Sequence, residues 1–243
     1  MKALIIAAGE GSRLRESNQD LPKPLLKIAG IPLIERIILT CKLAGVKDFV
    51  IVIGYKADEI KHYLNNGEKL GVGITYVFNE QWKKKNGVSV LCARPHLQEP
   101  FFLLMSDHLI EVSIMKAMIN ASLKNEELFL GVDYRLESDL IDKDDVTKVR
   151  EEYGLIKEIG KEVKQYNCYD TGVFLATPAL FDALKISKND DNCSLSDGVQ
   201  WMAKKNKARA IDIGKSFWID VDTAFYADKA EKIIVSGKLP NSK

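Results

Sequence analysis

The sequence predicts an α/β protein: a mostly parallel, mixed sheet with helices on both faces and a small β extension in its second half. Two observations carry this. Runs such as Ala3-Leu4-Ile5-Ile6-Ala7, Phe49-Val50-Ile51-Val52-Ile53 and Phe101-Phe102-Leu103-Leu104-Met105 are apolar without alternation, as strands buried on both faces must be. Segments with helical spacing stand between them, and strand–helix–strand repeats of this length join parallel strands by right-handed crossovers. In such sheets ligands sit beyond the carboxyl ends of the strands.

Taken in order, the first strand covers 3–7. Pro32 suits the first turn of a helix whose apolar face is Leu33, Ile34, Ile37, Ile38 and Cys41, and Gly45 ends it. A second strand over 49–53 and a helix over 57–65, closed by Asn66-Gly67, follow. Then come a strand over 74–78, a helix from about 88 to 93, a strand over 101–105 and a helix near 114 capped by Ser113. From Leu128 the pattern changes. Residues 146–150 and 155–159 flank a turn at Glu151-Glu152-Tyr153-Gly154 and read as a hairpin. A strand over 169–175, a helix over 195–205, a strand over 208–213 and a last helix over 224–235 complete the chain. With no linker, repeat or low-complexity tract, residues 1–243 are expected to form one domain, about 1–125 as one half and about 126–243 as the other.

The chemistry begins where the first strand empties into Ala7-Ala8-Gly9-Glu10-Gly11-Ser12-Arg13-Leu14, answered by Pro22-Lys23-Pro24-Leu25. Small residues let backbone amides approach phosphate oxygens, while Arg13 adds a planar charged fork and Lys23 a point charge. No Lys-Ser or Lys-Thr follows the glycines, which argues against a P-loop. A dinucleotide fingerprint wants a third glycine where Leu14 stands, and an acid where Ile53-Gly54-Tyr55 ends the second strand. A tight turn that needs glycine only for positive φ explains Gly9 and Gly11 but not Arg13, nor a lysine fenced by prolines. The set describes a polyphosphate cradle.

Composition narrows the partners. A chain of 243 residues, 46% hydrophobic, can bury a full core. A net charge of +1 without a basic stripe argues against nucleic acid; Lys83-Lys84-Lys85 is the local exception, either a solvated loop or part of a site. Cys41, Cys92, Cys168 and Cys193 lack metal or disulfide spacing, and His62, His96 and His108 are too scattered for zinc or His-based catalysis. No signal peptide and no long apolar segment is present, so the expectation is a soluble cytoplasmic protein with no membrane span of its own.

Further candidates follow strands. Asp107, in Ser106-Asp107-His108, is either a metal ligand or a helix cap, and the gap to Ser113 favours the ligand. Asn79 follows the third strand. Asn86-Gly87-Val88-Ser89 is either a base and phosphate contact or an ordinary cap turn. The late pair Asp220 and Asp222 is expected at the same open edge of the sheet as Asp107. Carboxylates beside a phosphate cradle suit Mg2+, without which they would repel the triphosphate they face.

Ala-Ala-Gly-x-Gly-Ser-Arg-Leu with Pro-Lys-Pro-Leu-Leu resembles the signature of the nucleotidyltransferases that make nucleoside-diphosphate sugars and alcohols. The resemblance implies their Rossmann-like, nucleotide-diphospho-sugar transferase fold, with a nucleotide-binding first half and an acceptor-binding second half. It puts Lys23 and Arg13 in catalytic roles and Ala7, Ala8, Gly9, Glu10, Gly11 and Ser12 on the nucleotide, with Asn79, Asn86, Gly87 and Ser89 beside them. One departure is the segment Arg15-Glu16-Ser17-Asn18-Gln19-Asp20, where many sugar members have Pro-Leu-Thr. Trp218-x-Asp220-x-x-Thr223 is similar to the segment that carries a metal-binding acid in this family; sugar members use the position of Asp220, choline-type members have a second acid as at Asp222.

Met105-Ser106-Asp107-His108, Lys157-Glu158-Ile159-Gly160-Lys161 and Cys168-Tyr169-Asp170-Thr171-Gly172 most resemble the branch that joins CTP to inositol 1-phosphate. That implies CDP-inositol and pyrophosphate as products, Mg2+ as cofactor, and an acceptor site of His108, Lys161, Asp170, Thr171 and Gly172. Lys161 also has a plainer reading as a surface lysine after a Gly turn. In this branch the enzyme is often joined to a membrane CDP-alcohol phosphotransferase, so a chain ending at Lys243 is read as free-standing or as one domain of such a fusion. Phosphocholine, or a hexose 1-phosphate with UTP, GTP, ATP or dTTP, are the alternative substrates. A nucleotide-binding regulatory protein of the same fold is the non-enzyme alternative. Its weakness is that such a protein need not retain Arg13, Lys23, Asp107 and the late acid pair together.

Overall fold

The computed structural model describes residues 1–11 and 21–237. Strand β1 (Lys2–Ala7) is followed by a 3-10 turn at Lys23–Leu25, a short β pair, β2 (Lys27–Ile28) and β3 (Ile31–Pro32), and helix α1 (Leu33–Leu43). Next come β4 (Asp48–Ile53), α2 (Ala57–Leu64), β5 (Gly73–Phe78), α3 (Asn86–Cys92), β6 (Phe101–Met105), β7 (His108–Ile110) and α4 (Val112–Asn120). The second half holds β8 (Leu128–Asp133), β9 (Lys148–Glu152), β10 (Leu155–Gly160), β11 (Cys168–Ala176), α5 (Ala179–Ile186) and α6 (Leu195–Ala203). It closes with β12 (Ala208–Asp212), β13 (Trp218–Asp220) and α7 (Ala224–Val235). Among the described residues no helix is long and apolar enough to cross a membrane.

Nine strands form one sheet in the order β5-β4-β1-β6-β11-β8-β12-β10-β9. The first four are mutually parallel. Beyond β6 the sheet is mixed, as expected. There β11 runs antiparallel to β6, β8 and β9, and β10 antiparallel to β9 and β12, leaving β8 with β12 as the parallel pair. The unbroken apolar run of β1 is explained by its two faces. Leu4 and Ile6 pack with Val88, Leu180 and Val199 from α3, α5 and α6. Ala3, Ile5 and Ala7 pack with Ile34, Ile60 and Ile114 from α1, α2 and α4. Helices therefore cover both sides. From β1 the chain moves outward through β4 and β5, then returns to place β6 on the other flank of β1. The crevice at such a reversal, beyond the carboxyl ends of β1 and β6, is where open α/β sheets bind ligands.

A two-stranded ribbon completes the frame. β13 pairs antiparallel with β7, setting Asp220 opposite His108, and Val221 N–H donates to the Asp107 carbonyl (3.0 Å). The apolar underside of the ribbon, Leu109, Ile219 and Val221, packs on Ala230 and Ile234 of α7. The Trp218 indole N–H donates to Asp133 Oδ2 (2.7 Å), and Asp133 also accepts from Arg135 Nε (2.8 Å). The expected cap at Ser113 is not made: α4 begins at Val112 behind Glu111, and Ser113 Oγ donates to Ser216 Oγ (2.8 Å). Nor does Asp107 cap α4, because β7 stands between them.

Replacing the indole donor tests the anchoring of this ribbon. Asp133 is 1% exposed, and Trp218→Phe removes one of the two donors to its Oδ2, leaving Arg135 Nη2 (2.8 Å), so the change should cost about 1 kcal/mol. The expected readout is a lower urea midpoint at unchanged m; a midpoint equal to wild type would show that the bond does not anchor β13.

Candidate active site

The first turn begins where β1 ends. Ala8 is buried, and its carbonyl accepts from Tyr55 N–H (3.0 Å), which fixes the start of the turn. A Cβ on Gly9 would meet no atom within 4 Å, so the backbone there faces open space. Gly11 differs. Its φ is +63°, and a Cβ would fall 2.5 Å from Lys23 Cβ, so glycine lets the turn lie directly on the lysine. Glu10 sits between them, while Ser12 and Arg13 lie outside the described residues.

Pro22 and Pro24 hold the 3-10 turn that buries Lys23, whose side chain is 7% exposed. Its ammonium donates to Asp107 Oδ2 (2.6 Å) and to Asp222 Oδ1, and lies 3.9 Å from Asp220 Oδ1. His108 Nε2 is 3.3 Å from Asp220 Oδ2 and 3.7 Å from Asp107 Oδ1, while Nδ1 bonds the Thr171 carbonyl (2.9 Å). Two cations thus face three carboxylates from distant segments.

The titration of each group follows from this arrangement. Burial opposes the Lys23 charge, but Asp107, Asp220 and Asp222 together hold it above the usual lysine range. Burial would raise Asp107; Lys23, then His108, outweigh it and bring the carboxyl down to about 2. Asp222 goes the other way, to about 6, because burial and then Asp220 prevail over Lys23. His108 would lose its proton on burial, but Asp220 foremost keeps it to about 10.

The donor set fits a divalent cation. Asp220 Oδ1 is buried and accepts no hydrogen bond among the described residues. Asp145, Asp220 and Asp222 each offer a carboxylate oxygen within 4.8 Å of the others; His108 stands at the same spacing from Asp107 and Asp220 but, while protonated, has no lone pair to give. Carboxylate oxygens so gathered are hard donors that leave positions for phosphate and water. Asp145 was not singled out from the sequence; one acid of three in the stretch Asp142-Lys143-Asp144-Asp145 carries no local signal.

Two clefts meet at this cluster. One opens on Gly9, Gly11 and Lys23, the other on Lys161, Asp170 and His108, and Asn86, Met105, Asp107 and Asp222 line both. On the second side Lys161 Nζ pairs with Asp145 Oδ1 (2.5 Å). Asp170 Oδ1 accepts from Gly172 N–H (2.7 Å), and burial raises its carboxyl to about 6. Gly172 has φ +74°, and a Cβ there would lie 2.3 Å from His108 Nδ1. Thr171 is fully buried with Oγ1 donating to the Gly131 carbonyl (2.8 Å), so its hydroxyl braces β11 against β8 and does not face the cleft.

Around α3 the side chains make turn and cap contacts, while Asn86 and Ser89 also line the first cleft. Asn79 is 2% exposed: Nδ2 donates to Ser89 Oγ (2.9 Å) and Oδ1 accepts from Gln81 N–H (2.9 Å). Its side chain builds the loop. Asn86 opens α3, and its Oδ1 accepts from Leu195 N–H (2.8 Å), capping the neighbouring helix α6. A Cβ on Gly87 would lie 2.6 Å from the Cys193 carbonyl oxygen, so that glycine serves the packing of α3 on the 193–194 backbone. Ser89 lines the first cleft while holding Asn79.

The state of His108 gives a pH signature. Its folded value of about 10 exceeds the ordinary 6.5, so its contribution to stability is complete below 6.5 and is lost as pH rises toward 10. The unfolding free energy should fall between about pH 7 and 9, and His108→Gln should flatten that slope. Equal slopes in urea titrations of the two proteins would show that the imidazole is not held charged.

Comparison with known proteins identifies the family. The family described as Nucleotidyl transferase matches residues 2–226. The chain is 34% identical over 96% of its length to a protein of Aquifex aeolicus named bifunctional IPC transferase and DIPP synthase, covering 51% of that protein. It is 30% identical over its whole length to one of the same name from Archaeoglobus fulgidus, covering 45%. The chain thus spans about half the length of these curated relatives. Among solved structures, the inositol-1-phosphate CTP transferase of T. maritima matches with a TM-score of 0.84 and 31% identity, covering 96% of this chain and 95% of that one. A UDP-glucose pyrophosphorylase matches in fold alone, with a TM-score of 0.82 at 21% identity. Enzymes of this kind join a nucleoside triphosphate to a phosphorylated acceptor, in general with a divalent metal. With the match running from β1 through Asp220 and Asp222 into α7, the chain belongs to the nucleotidyl transferase family.

Proposed function

We propose that this chain condenses CTP with inositol 1-phosphate, forming CDP-inositol and releasing pyrophosphate. The observation that carries the reading is the meeting of Lys23, Asp107 and Asp222 on the wall between the two clefts, one beside the glycine turn and one beside Lys161. The choice of CTP and inositol 1-phosphate is supported by the T. maritima transferase at 31% identity and by the names of the Aquifex and Archaeoglobus relatives. Those relatives are bifunctional and about twice as long, and the reading includes a membrane CDP-alcohol phosphotransferase as the partner that consumes the product.

In the reaction an acceptor phosphate oxygen bonds to the α-phosphorus of CTP, and the bond from that phosphorus to the β-phosphate oxygen breaks. The acceptor phosphate has a second pKa of about 6 and is already dianionic at neutral pH, so no base is required. His108 agrees with this, since an imidazole that keeps its proton to about 10 is no base at pH 7. It acts as a fixed positive charge behind Asp220. The first turn presents its amides and Lys23 its ammonium to the triphosphate, together with Arg13 from outside the described residues. Lys161 receives the acceptor phosphate. Asp107, Asp220 and Asp222 are the residues that would hold Mg2+. When bound, Mg2+ neutralises the triphosphate and withdraws charge from the phosphorus under attack. Catalysis in this scheme is positioning and charge compensation.

A panel crossing CTP, UTP, GTP, ATP and dTTP with inositol 1-phosphate, phosphocholine and glucose 1-phosphate tests the reading through pyrophosphate release. CTP with inositol 1-phosphate should be fastest; a faster hexose 1-phosphate or phosphocholine reaction would overturn the acceptor. With Mg2+ saturating, Lys23→Ala and Asp107→Ala should each slow turnover by about a hundredfold or more, on the order of 3 kcal/mol, with the far-UV spectrum retained. Near-wild-type rates in either variant would remove that residue from the site.

A further inference from the structure

The cleft beside the first turn has one aromatic side chain among the described residues that line it, Trp82. No motif points to it, yet several contacts fix where it stands. Gly54 makes the room: a Cβ there would lie 2.4 Å from Trp82 Cβ and 2.9 Å from the Ala8 carbonyl oxygen. Trp82 therefore packs close against the end of β1, where the chain turns toward Gly9. The Tyr55 ring lies 5.4 Å from the indole at 56°, and the Lys83 ammonium 5.3 Å from its centroid.

The loop that carries Trp82 is fastened at both ends. Gln81 N–H donates to the buried Asn79 side chain (2.9 Å), and Lys84 N–H to the Gln81 carbonyl (2.8 Å). Lys85 N–H donates to Asn192 Oδ1 (2.9 Å), and Lys84 Nζ to the Asp191 carbonyl (3.2 Å). Asn79, held by Ser89, thus fixes the loop on which the ring stands. A half-buried ring held this way needs little further ordering to receive a flat ligand.

We propose that Trp82 is the face against which the base of the bound nucleotide packs, a binding contact for the donor separate from those made to its phosphates. The proposal rests on the nucleotidyl-transfer reading above. The phosphates belong to the glycine turn and Lys23, and Trp82 borders the same cleft, so the nucleoside lies between turn and ring. Stacking or edge contact with an aromatic ring suits any base, since each has a π-face.

Calorimetric titration with CTP and with inorganic tripolyphosphate, both with Mg2+ and without acceptor, separates base from phosphate. Trp82→Ala should weaken CTP about five- to a hundredfold, the range for loss of one base–aromatic contact, and leave tripolyphosphate within about twofold. Trp82→Phe, which keeps a ring, should recover most of the loss. Equal weakening of both ligands would show that the indole only shapes the turn, and unchanged CTP affinity would show no base contact; either result overturns the proposal. If wild type binds another nucleoside triphosphate tighter than CTP, the donor assignment fails, and the same pair of titrations with that nucleotide decides on Trp82. If wild type binds no nucleoside triphosphate tighter than tripolyphosphate, the base contact fails while the phosphate cradle stands.

Discussion

The ammonium of Lys23 ties together stretches of chain that are far apart in sequence. A buried cation without counter-charges is costly, and so is a cluster of carboxylates without cations. Each requirement answers the other. Residue 23 comes from the loop after the first strand, residue 107 from the end of β6, and residues 220 and 222 from the ribbon before α7. His108 supplies the second positive charge from the far side of Asp220. The same acids that would repel a triphosphate are therefore compensated before any ligand arrives. Metal and phosphate enter a site whose charges are already arranged, which is the form electrostatic preorganisation takes here.

The sheet explains why these segments meet. Reversal of strand order at β1 opens a crevice between the ends of β1 and β6, and Ser106 N–H, which donates to the Ile6 carbonyl (3.2 Å), marks its floor. The ribbon then brings a third contributor to the same place. Its strands are three residues long and gain their stability from α7 beneath and from the Trp218–Asp133 bond at one end. A short antiparallel pair is weak by itself. Packed this way it holds Asp220 and Asp222 to the same side of the sheet as Asp107.

Much of the frame was legible because it rests on local pattern. The apolar runs of β1, β4 and β6 needed only burial on two faces, and α7 spans Ala224–Val235 as expected. Contacts between segments far apart were not legible. The β7–β13 ribbon pairs residues more than a hundred positions apart, and three-residue strands carry no periodicity. Asn79, Asn86 and Ser89 have the composition of ligand contacts, but an amide or hydroxyl is equally suited to loops and caps. Only the fold shows that Asn86 caps α6 and that Asn79 grips Gln81. The direction of β11 was hidden for a related reason: it is buried along most of its length, so its sequence shows no alternation from which direction could be read.

One consequence lies in the pairing of β11 with β6. Val173 to Ala176 are laddered to Leu104 to Phe101, so the strands beneath both clefts belong to a single hydrogen-bonded frame. Opening a hinge there would break main-chain bonds in the middle of the sheet. The separation between the two clefts is therefore fixed when the chain folds, and under the proposed function it acts as a ruler. An acceptor whose phosphorus stands one bond further from its ring could seat the ring and still miss the line of attack. Chain length between ring and phosphate is then judged by the sheet itself, before any side chain reads a hydroxyl.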